Sequence, residues 1–489
     1  MTGRLPIRSV GILGAGIVGL SAAIAFARAL PGVAITLIET PADPAALADR
    51  MPGTLPSIAT FHDRIGLGEA DCLAAGATHR LGTRLTDWGT ASPVVLAHGD
   101  RVAPLGPGAF HQHWLNARRH GSALSFSAYS TAAVLAGADR FVHPVDDPAS
   151  PFSRFGYALR LDPPRYRDLL LAYARHLAIT PITAHYAGIE RRADGGVAAI
   201  LLADGRHVVC DLYLDCAGPA APLRSAIDGQ REDWRPFLPV DRLLLGTGPA
   251  QALTPTDDLV AMPAGWRFAR PLRDRTLVGL AYASDQTRDS SARRILPTAD
   301  EVVAVACGAR SQPWVRNVLA LGDAAVALDP LADANLHLAH SAILRAIELL
   351  PGRDCAPGEL AEYNARSYRQ ASRVRDFQAA HYHASGRTRG DCWKRIPRLP
   401  RPDSLAHTLD QFAHRGRLPF YEGESFDAGD WHGLLLGLGM MPRIPDPIVS
   451  ATPIETVSAT LKRLADATAA LPSRVPPYPA YLANLERRR

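Results

Sequence analysis

Residues 9–39 constrain what this 489-residue chain can fold into more than any other stretch. Ser9 to Leu13 is an apolar run that reads as a buried strand, and Gly14-Ala15-Gly16-Ile17-Val18-Gly19 follows as a glycine turn. Leu20 to Leu30 is an alanine-rich helical stretch ending at Pro31-Gly32, and Val33 to Ile38 is a second apolar run that closes on Glu39. Strand, G-x-G-x-x-G, helix, second strand and a terminal acid in register make a β-α-β dinucleotide-binding unit. The glycines let backbone approach a pyrophosphate at a helix N-terminus, where free N–H groups favour an anion, and Glu39 can accept from an adenosine ribose hydroxyl. By itself the unit serves FAD or NAD.

The same stretch imitates a signal peptide, since Ser9 to Ala27 is uncharged and ends in Ala25-Phe26-Ala27. The glycine spacing carries a mechanism that a leader would not need, so the expectation is an unprocessed, cytoplasmic chain without a membrane partner. With 47% hydrophobic and 21% charged residues the chain can bury a large core, in two to three structural units. The net charge of +5 is spread along the chain, with one basic run at Arg487-Arg488-Arg489, which gives no reason to expect nucleic acid. The six cysteines lack C-x-x-C spacing, and the i,i+3 pair His337 and His340 lacks a third ligand, so no metal is expected.

A second segment decides between the dinucleotides. Val318 to Ala325 is a short apolar strand meeting Gly322-Asp323, followed by Asp329-Pro330-Leu331 and a helix from about Ala334 to Leu350. FAD lies extended, so a glycine turn near its diphosphate needs another segment near the ribityl and isoalloxazine end. Asp323 suits a ribityl hydroxyl, and the backbone at Gly322, Pro330, Ala334 and Asn335, where the helix opens, suits the electron-rich edge of a flavin. The expected FAD-binding set is therefore Gly14, Gly16, Gly19, Glu39, Gly322, Asp323, Pro330, Ala334 and Asn335. The expected fold is an α/β, Rossmann-type FAD-binding fold like that of glutathione reductase. Residues 1–350 form the FAD domain, with substrate-side insertions near 88–155 and 231–289 that include an added β-sheet, and 351–489 form a mainly helical region.

Ordered matches along most of the chain resemble the flavin-dependent tryptophan halogenase family. They include Gly14 to Gly19, Leu55-Pro56-Ser57-Ile58 with Phe61-His62, Asp211 to Cys216, Pro239-Val240-Asp241-Arg242 and Asp329-Pro330-Leu331. Toward the C-terminus, Tyr363-Asn364, Arg375-Asp376-Phe377, His381-Tyr382, Asp391-Cys392-Trp393 and Tyr421 to Phe426 through Trp431 join them. The resemblance implies FAD, reduction by NAD(P)H or through a flavin reductase, O2 activated as a flavin C4a-hydroperoxide, and an electron-rich aromatic substrate.

The departures are as informative as the matches. Such halogenases carry a lysine in a pattern like Ala-Thr-Phe-Lys-Leu-Gly, whereas this chain reads Ala77-Thr78-His79-Arg80-Leu81-Gly82 and has no lysine before Lys394. A permanently charged guanidinium is a poor nucleophile toward hypohalous acid. The glutamate of their Glu-Pro-Leu-Glu-Ser-Thr pattern becomes Ala332 in Asp329-Pro330-Leu331-Ala332-Asp333-Ala334, and Trp-x-Trp-x-Ile-Pro becomes Trp266-Arg267-Phe268-Ala269-Arg270-Pro271. The implied activity is then monooxygenation of a tryptophan indole, within a peptide or protein, as in the flavoprotein monooxygenase of tryptophylquinone formation in quinohemoprotein amine dehydrogenase. The alternatives are an aromatic halogenase using other residues, or a non-catalytic flavoprotein that binds and matures a partner protein. Arg80, Asp333 and His79 are the catalytic candidates, and Trp266 and Phe268, two apart on one strand, are the substrate candidates. Asp333 could equally cap the helix that follows it.

Overall fold

The computed structural model describes residues 5–99, 102 and 105–487; Arg488 and Arg489 of the basic run lie outside the described residues. The chain divides into two compact units, each assembled from three separate stretches. The first comprises 1–77, 161–241 and 303–375, and the second 78–160, 242–302 and 376–489. This division departs from the expected boundary near residue 350: the C-terminal helices cluster with the inserted sheet, and the helix Pro357–His383 runs from one unit into the other.

The first unit is built on a six-stranded sheet in the order 314–315, 318–320, 212–215, 9–13, 34–39, 182–183. Strand β1 (Ser9–Leu13) lies inside it, parallel to both 212–215 and β2 (Ala34–Glu39), with Ile12 opposite Leu214 on one side and Leu37 on the other. Near-continuous apolar runs in these strands are what a parallel sheet buried on both faces requires. Helix α1 (Ile17–Ala29) is buried from Ile17 through Phe26. The glycine turn is dictated by space: Gly14 has φ of 100°, and a Cβ on Gly19 would stand 1.9 Å from the Gly14 carbonyl oxygen. The β-α-β reading and the FAD-type Rossmann fold are thus seen, with boundaries moved by up to three residues.

The second unit holds a seven-stranded sheet in the order 299–304, 242–248, 276–282, 265–271, 256–262, 82–86, 94–97. Its strands 256–262, 265–271 and 276–282 form an antiparallel meander, 242–248 returns to pair antiparallel with 276–282, and 256–262 pairs in parallel with 82–86. Helices 403–415, 428–437, 454–469 and 478–487 belong to this unit, where Tyr478 and Leu482 pack with Leu81, Leu135 and Phe141. Among the described residues no helix is long and apolar enough to cross a membrane.

Candidate active site

In the first unit the two expected cofactor segments are both in place. The N-terminus of α1 carries no side-chain cap of its own and no acidic residue in its first turn, so an anion for its amides has to come from outside the helix. Glu39, at the end of β2, is held by Arg167 of the helix Pro163–His176, whose Nη2 is 2.5 Å from Glu39 Oε1 and whose Nε donates to the Ala15 carbonyl. Gly322 and Asp323 form a short 3₁₀ turn after strand 318–320. Asp323 is 3% exposed; its Oδ2 accepts from the Ala48 N–H at 2.8 Å, while its Oδ1 has no hydrogen-bond partner. Burial pushes its carboxyl up to about 7. A buried carboxylate oxygen without a donor fits the hydroxyl of a ribityl chain, so the residues present suit FAD.

The segment after it is equally enclosed. Asp329 is fully buried, accepts from the Leu331 N–H, and is pushed up to about 7 by burial. Pro330, Ala334 and Asn335 are all buried, and Asn335 Nδ2 donates to the Leu328 carbonyl. The helix Asn335–Glu348 has Ala334, not Asp333, at its N-cap position. Asp333 instead adopts the left-handed conformation, φ 53°, and is 2% exposed; its carboxylate lies where a Cβ on Gly53 would have to sit. His337 bonds Ser57 Oγ through Nδ1, and His340 stacks on Phe61 with its Nε2 near Ser21 Oγ.

In the second unit His79 and Arg80 occupy the strand Thr78–Arg80, where successive side chains point to opposite faces. His79 is buried against Phe141, its N–H donating to Tyr478 Oη at 2.6 Å. Arg80 is buried in a polar network: its Nε donates to Asp257 Oδ2 at 2.7 Å, its Nη2 to Thr83 Oγ1 at 2.6 Å, and its Nη1 lies 3.0 Å from His98 Nε2. Arg160 donates to the other oxygen, Oδ1, of the same aspartate. Burial and the neighbouring guanidinium push His98 down to about 3, so it accepts as a neutral ring. Trp266 and Phe268 share one side of strand 265–271 and are buried, with Trp266 Nε1 donating to Tyr382 Oη at 2.8 Å.

A cavity of about 230 Å³ in this unit is lined mainly by apolar groups, including Val94, Phe110, Phe126 and Ala133, and by His111 and His432. The two imidazoles stack with centroids 3.7 Å apart. Burial pushes His111 down to about 4 and His432 to about 3, so both are neutral. His111 Nε2 lies 2.9 Å from the Gly416 carbonyl and 3.0 Å from Gln112 Nε2; in the tautomer that donates to the carbonyl, Nδ1 is the atom able to take a proton. His111 is one of 17 histidines and no motif surrounds it in the sequence; His432, Asp257 and Arg167 carry no local pattern either and were missed.

The sequence matches the tryptophan halogenase family over residues 9–454. It is similar to the tryptophan 7-halogenase KtzQ of Kutzneria sp. (strain 744), 25% identical over 98% of this chain and 99% of that protein. Among solved structures, BrvH, a flavin-dependent halogenase from Brevundimonas sp. BAL3, superposes with a TM-score of 0.92 at 31% identity, covering 98% of this chain and 99% of BrvH. Xcc4156, a flavin-dependent halogenase from Xanthomonas campestris, gives 0.89 at 28% identity over 98% of each chain. The chain belongs to the tryptophan halogenase family. It is a flavin-dependent enzyme and its cofactor is FAD. These relatives are named as halogenases, which favours halogenation, the alternative reading, over hydroxylation.

Proposed function

We propose that the chain uses reduced FAD and O2 to halogenate an electron-rich aromatic ring of the tryptophan type. The observation that carries this reading is the full-length likeness to BrvH, in fold and at 31% identity. Reduced FAD, when bound, supplies the O2 activation that oxidises halide. The glycine turn and Glu39 would hold its ADP half, and Asp323 its ribityl chain. The cavity beside Val94, Phe110 and Phe126 offers mainly apolar walls to a ring. A ring that gains a substituent must lose a proton, and Ala332 supplies no group to take it. His111, kept neutral by burial, can accept that proton at Nδ1.

A second reading is hydroxylation of a tryptophan within a peptide or protein during tryptophylquinone formation, with electrons from NAD(P)H directly or through a reductase. One observation favours it: the position of the halogenase lysine holds Arg80, whose guanidinium is tied to Asp257, Thr83 and His98. The deciding experiment supplies chemically reduced FAD, bromide and isotopically labelled O2, with free tryptophan and a tryptophan peptide as substrates, and weighs the products. Bromine in the product establishes halogenation. Labelled oxygen without bromine overturns it in favour of hydroxylation, and an unchanged substrate set sinks both.

A further inference from the structure

The 3₁₀ turn Leu47–Asp49 bonds to both expected cofactor segments of the first unit. Oδ1 of Asp49 accepts a 2.8 Å hydrogen bond from the N–H of Val18, in the first turn of α1. A Cβ on Gly16 would stand 2.1 Å from Asp49 Oδ2, so the carboxylate lies directly against the glycine turn. One residue earlier, the Ala48 N–H donates to Asp323 Oδ2. Helix α1 has no acid of its own in its first turn, and a residue 31 positions away supplies the anion that a helix N-terminus attracts. A diphosphate would bring the same chemistry to the same donors.

We infer that Asp49 is an internal stand-in for the FAD diphosphate: it takes up the amide donor of α1 when the cofactor is away, competes with the cofactor for it, and thereby sets the affinity for flavin. The inference rests on the assignment of FAD to the glycine turn and is independent of whether the ring gains halogen or hydroxyl. It also fits a flavin that arrives reduced from elsewhere and has to be given up after turnover.

The competition is pH-dependent. Partial burial pushes Asp49 up to about 6, against the pull of the Val18 amide and Arg167. Arg167 faces it from helix 163–176, Asp323 from the 3₁₀ turn at 322–324, and the Cys216 thiol from beyond strand 212–215. Helix 335–348 packs on the same turn with no acid at its start, and its His337 and His340 are engaged by Ser57 and Ser21. A neutral Asp49 repels a diphosphate less than a charged one, so FAD should bind more weakly as pH rises through the titration of Asp49.

The test titrates the cofactor-free protein with FAD by flavin fluorescence, with ADP as competitor, because ADP carries the diphosphate without the flavin. At about pH 7.5, Asp49→Asn should bind FAD about tenfold more tightly than the native chain. It should lose the part of the difference between about pH 5.5 and about pH 7.5 that the charge of Asp49 sets, leaving what Asp323 and Asp329, both at about 7, contribute. ADP affinity should move in parallel. Asp49→Ala should lower the Tm without FAD yet enlarge the Tm shift at saturating FAD, opposite signs that only competition produces. An Asp49→Asn protein that binds FAD no more tightly overturns the role of Asp49, as does an undiminished pH dependence, which would then belong to Asp323. ADP that fails to displace FAD overturns the diphosphate assignment instead.

Discussion

Asp323 and Asp257 are both buried aspartates, one in each unit, and their surroundings are opposite in electrostatic sense. Asp323 has one short hydrogen bond, from the Ala48 N–H to Oδ2, and burial outweighs this bond, Arg231 and Asn335 and pushes the carboxyl up to about 7. Burial also works to raise Asp257, but the guanidinium groups of Arg160, Arg80 and Arg270 outweigh it and hold the carboxyl well below the ordinary carboxylate range. A buried acid left uncompensated is prepared for a ligand, whereas one surrounded by arginines is finished without one. Arg80 belongs to the finished kind, and its replacement of the halogenase lysine therefore exchanges a reactive amine for part of a structural ion network.

The comparison breaks first if Asp257 proves dispensable. Asp257→Ala leaves Arg80 and Arg160 buried beside each other and should cost about 3–5 kcal/mol in denaturant unfolding. A loss under about 1 kcal/mol would mean that the network is not structural, and would return Arg80 to the list of groups free to act on substrate. The next largest effect falls on turnover. His111→Gln keeps a polar side chain in the cavity without a proton acceptor of suitable basicity, and should lower kcat about a hundredfold with KM little changed. A change confined to KM would make His111 a wall of the cavity rather than its base.

Asp323→Ala should weaken FAD binding about tenfold to a hundredfold, by loss of a charged acceptor, with less effect on the cofactor-free fold than Asp257→Ala. The pH dependence of stability separates the two acids by sign. Asp323 is raised above its unfolded value of 3.8, so it costs the fold progressively more as pH rises from 3.8 toward about 7. Asp257 is depressed, so its contribution is present above 3.8 and is lost as pH falls through the folded value. Unfolding curves of Asp323→Asn should therefore lose part of the decline between these limits, while the acid limb stays. An unaltered decline would show that Asp323 already has a partner for its second oxygen.

The cofactor half was legible in sequence because its requirements are local. A glycine at φ 100°, a close carbonyl, a buried parallel strand and an acid at its end all leave marks within 31 residues. The other half depends on partners far apart: Arg80 and Asp257 are separated by 177 positions, and nothing near either one announces the pair. Strand 256–262 is hard to read from sequence for the same reason, since Asp257 and Asp258 interrupt the apolar pattern that a half-buried strand would show, and Arg80, Arg160 and Arg84 make those acids compatible with it. The loss of the lysine could be read from residue 80 alone; what the arginine does there could not. Asp49 likewise sits in an unremarkable Ala-Leu-Ala-Asp-Arg stretch and gains its meaning from the Val18 amide.

The smallest effect sharpens the same distinction between site and scaffold at Trp266. Its indole is fully buried and Nε1 donates to Tyr382 Oη at 2.8 Å, so Trp266→Phe removes one buried hydrogen bond and some volume, while Tyr382→Phe removes the acceptor and little else. If the residue only packs, each single change should cost about 1 kcal/mol in unfolding, the double mutant should cost less than their sum, and KM for the aromatic substrate should stay where it was. If Trp266 instead shapes the substrate site, KM should shift in Trp266→Phe by more than the stability loss accounts for, and the two substitutions should not couple in KM as they do in unfolding. That second pattern would place part of the substrate site on the one sheet whose buried acid is already fully compensated, and the contrast between a prepared unit and a finished one would no longer hold.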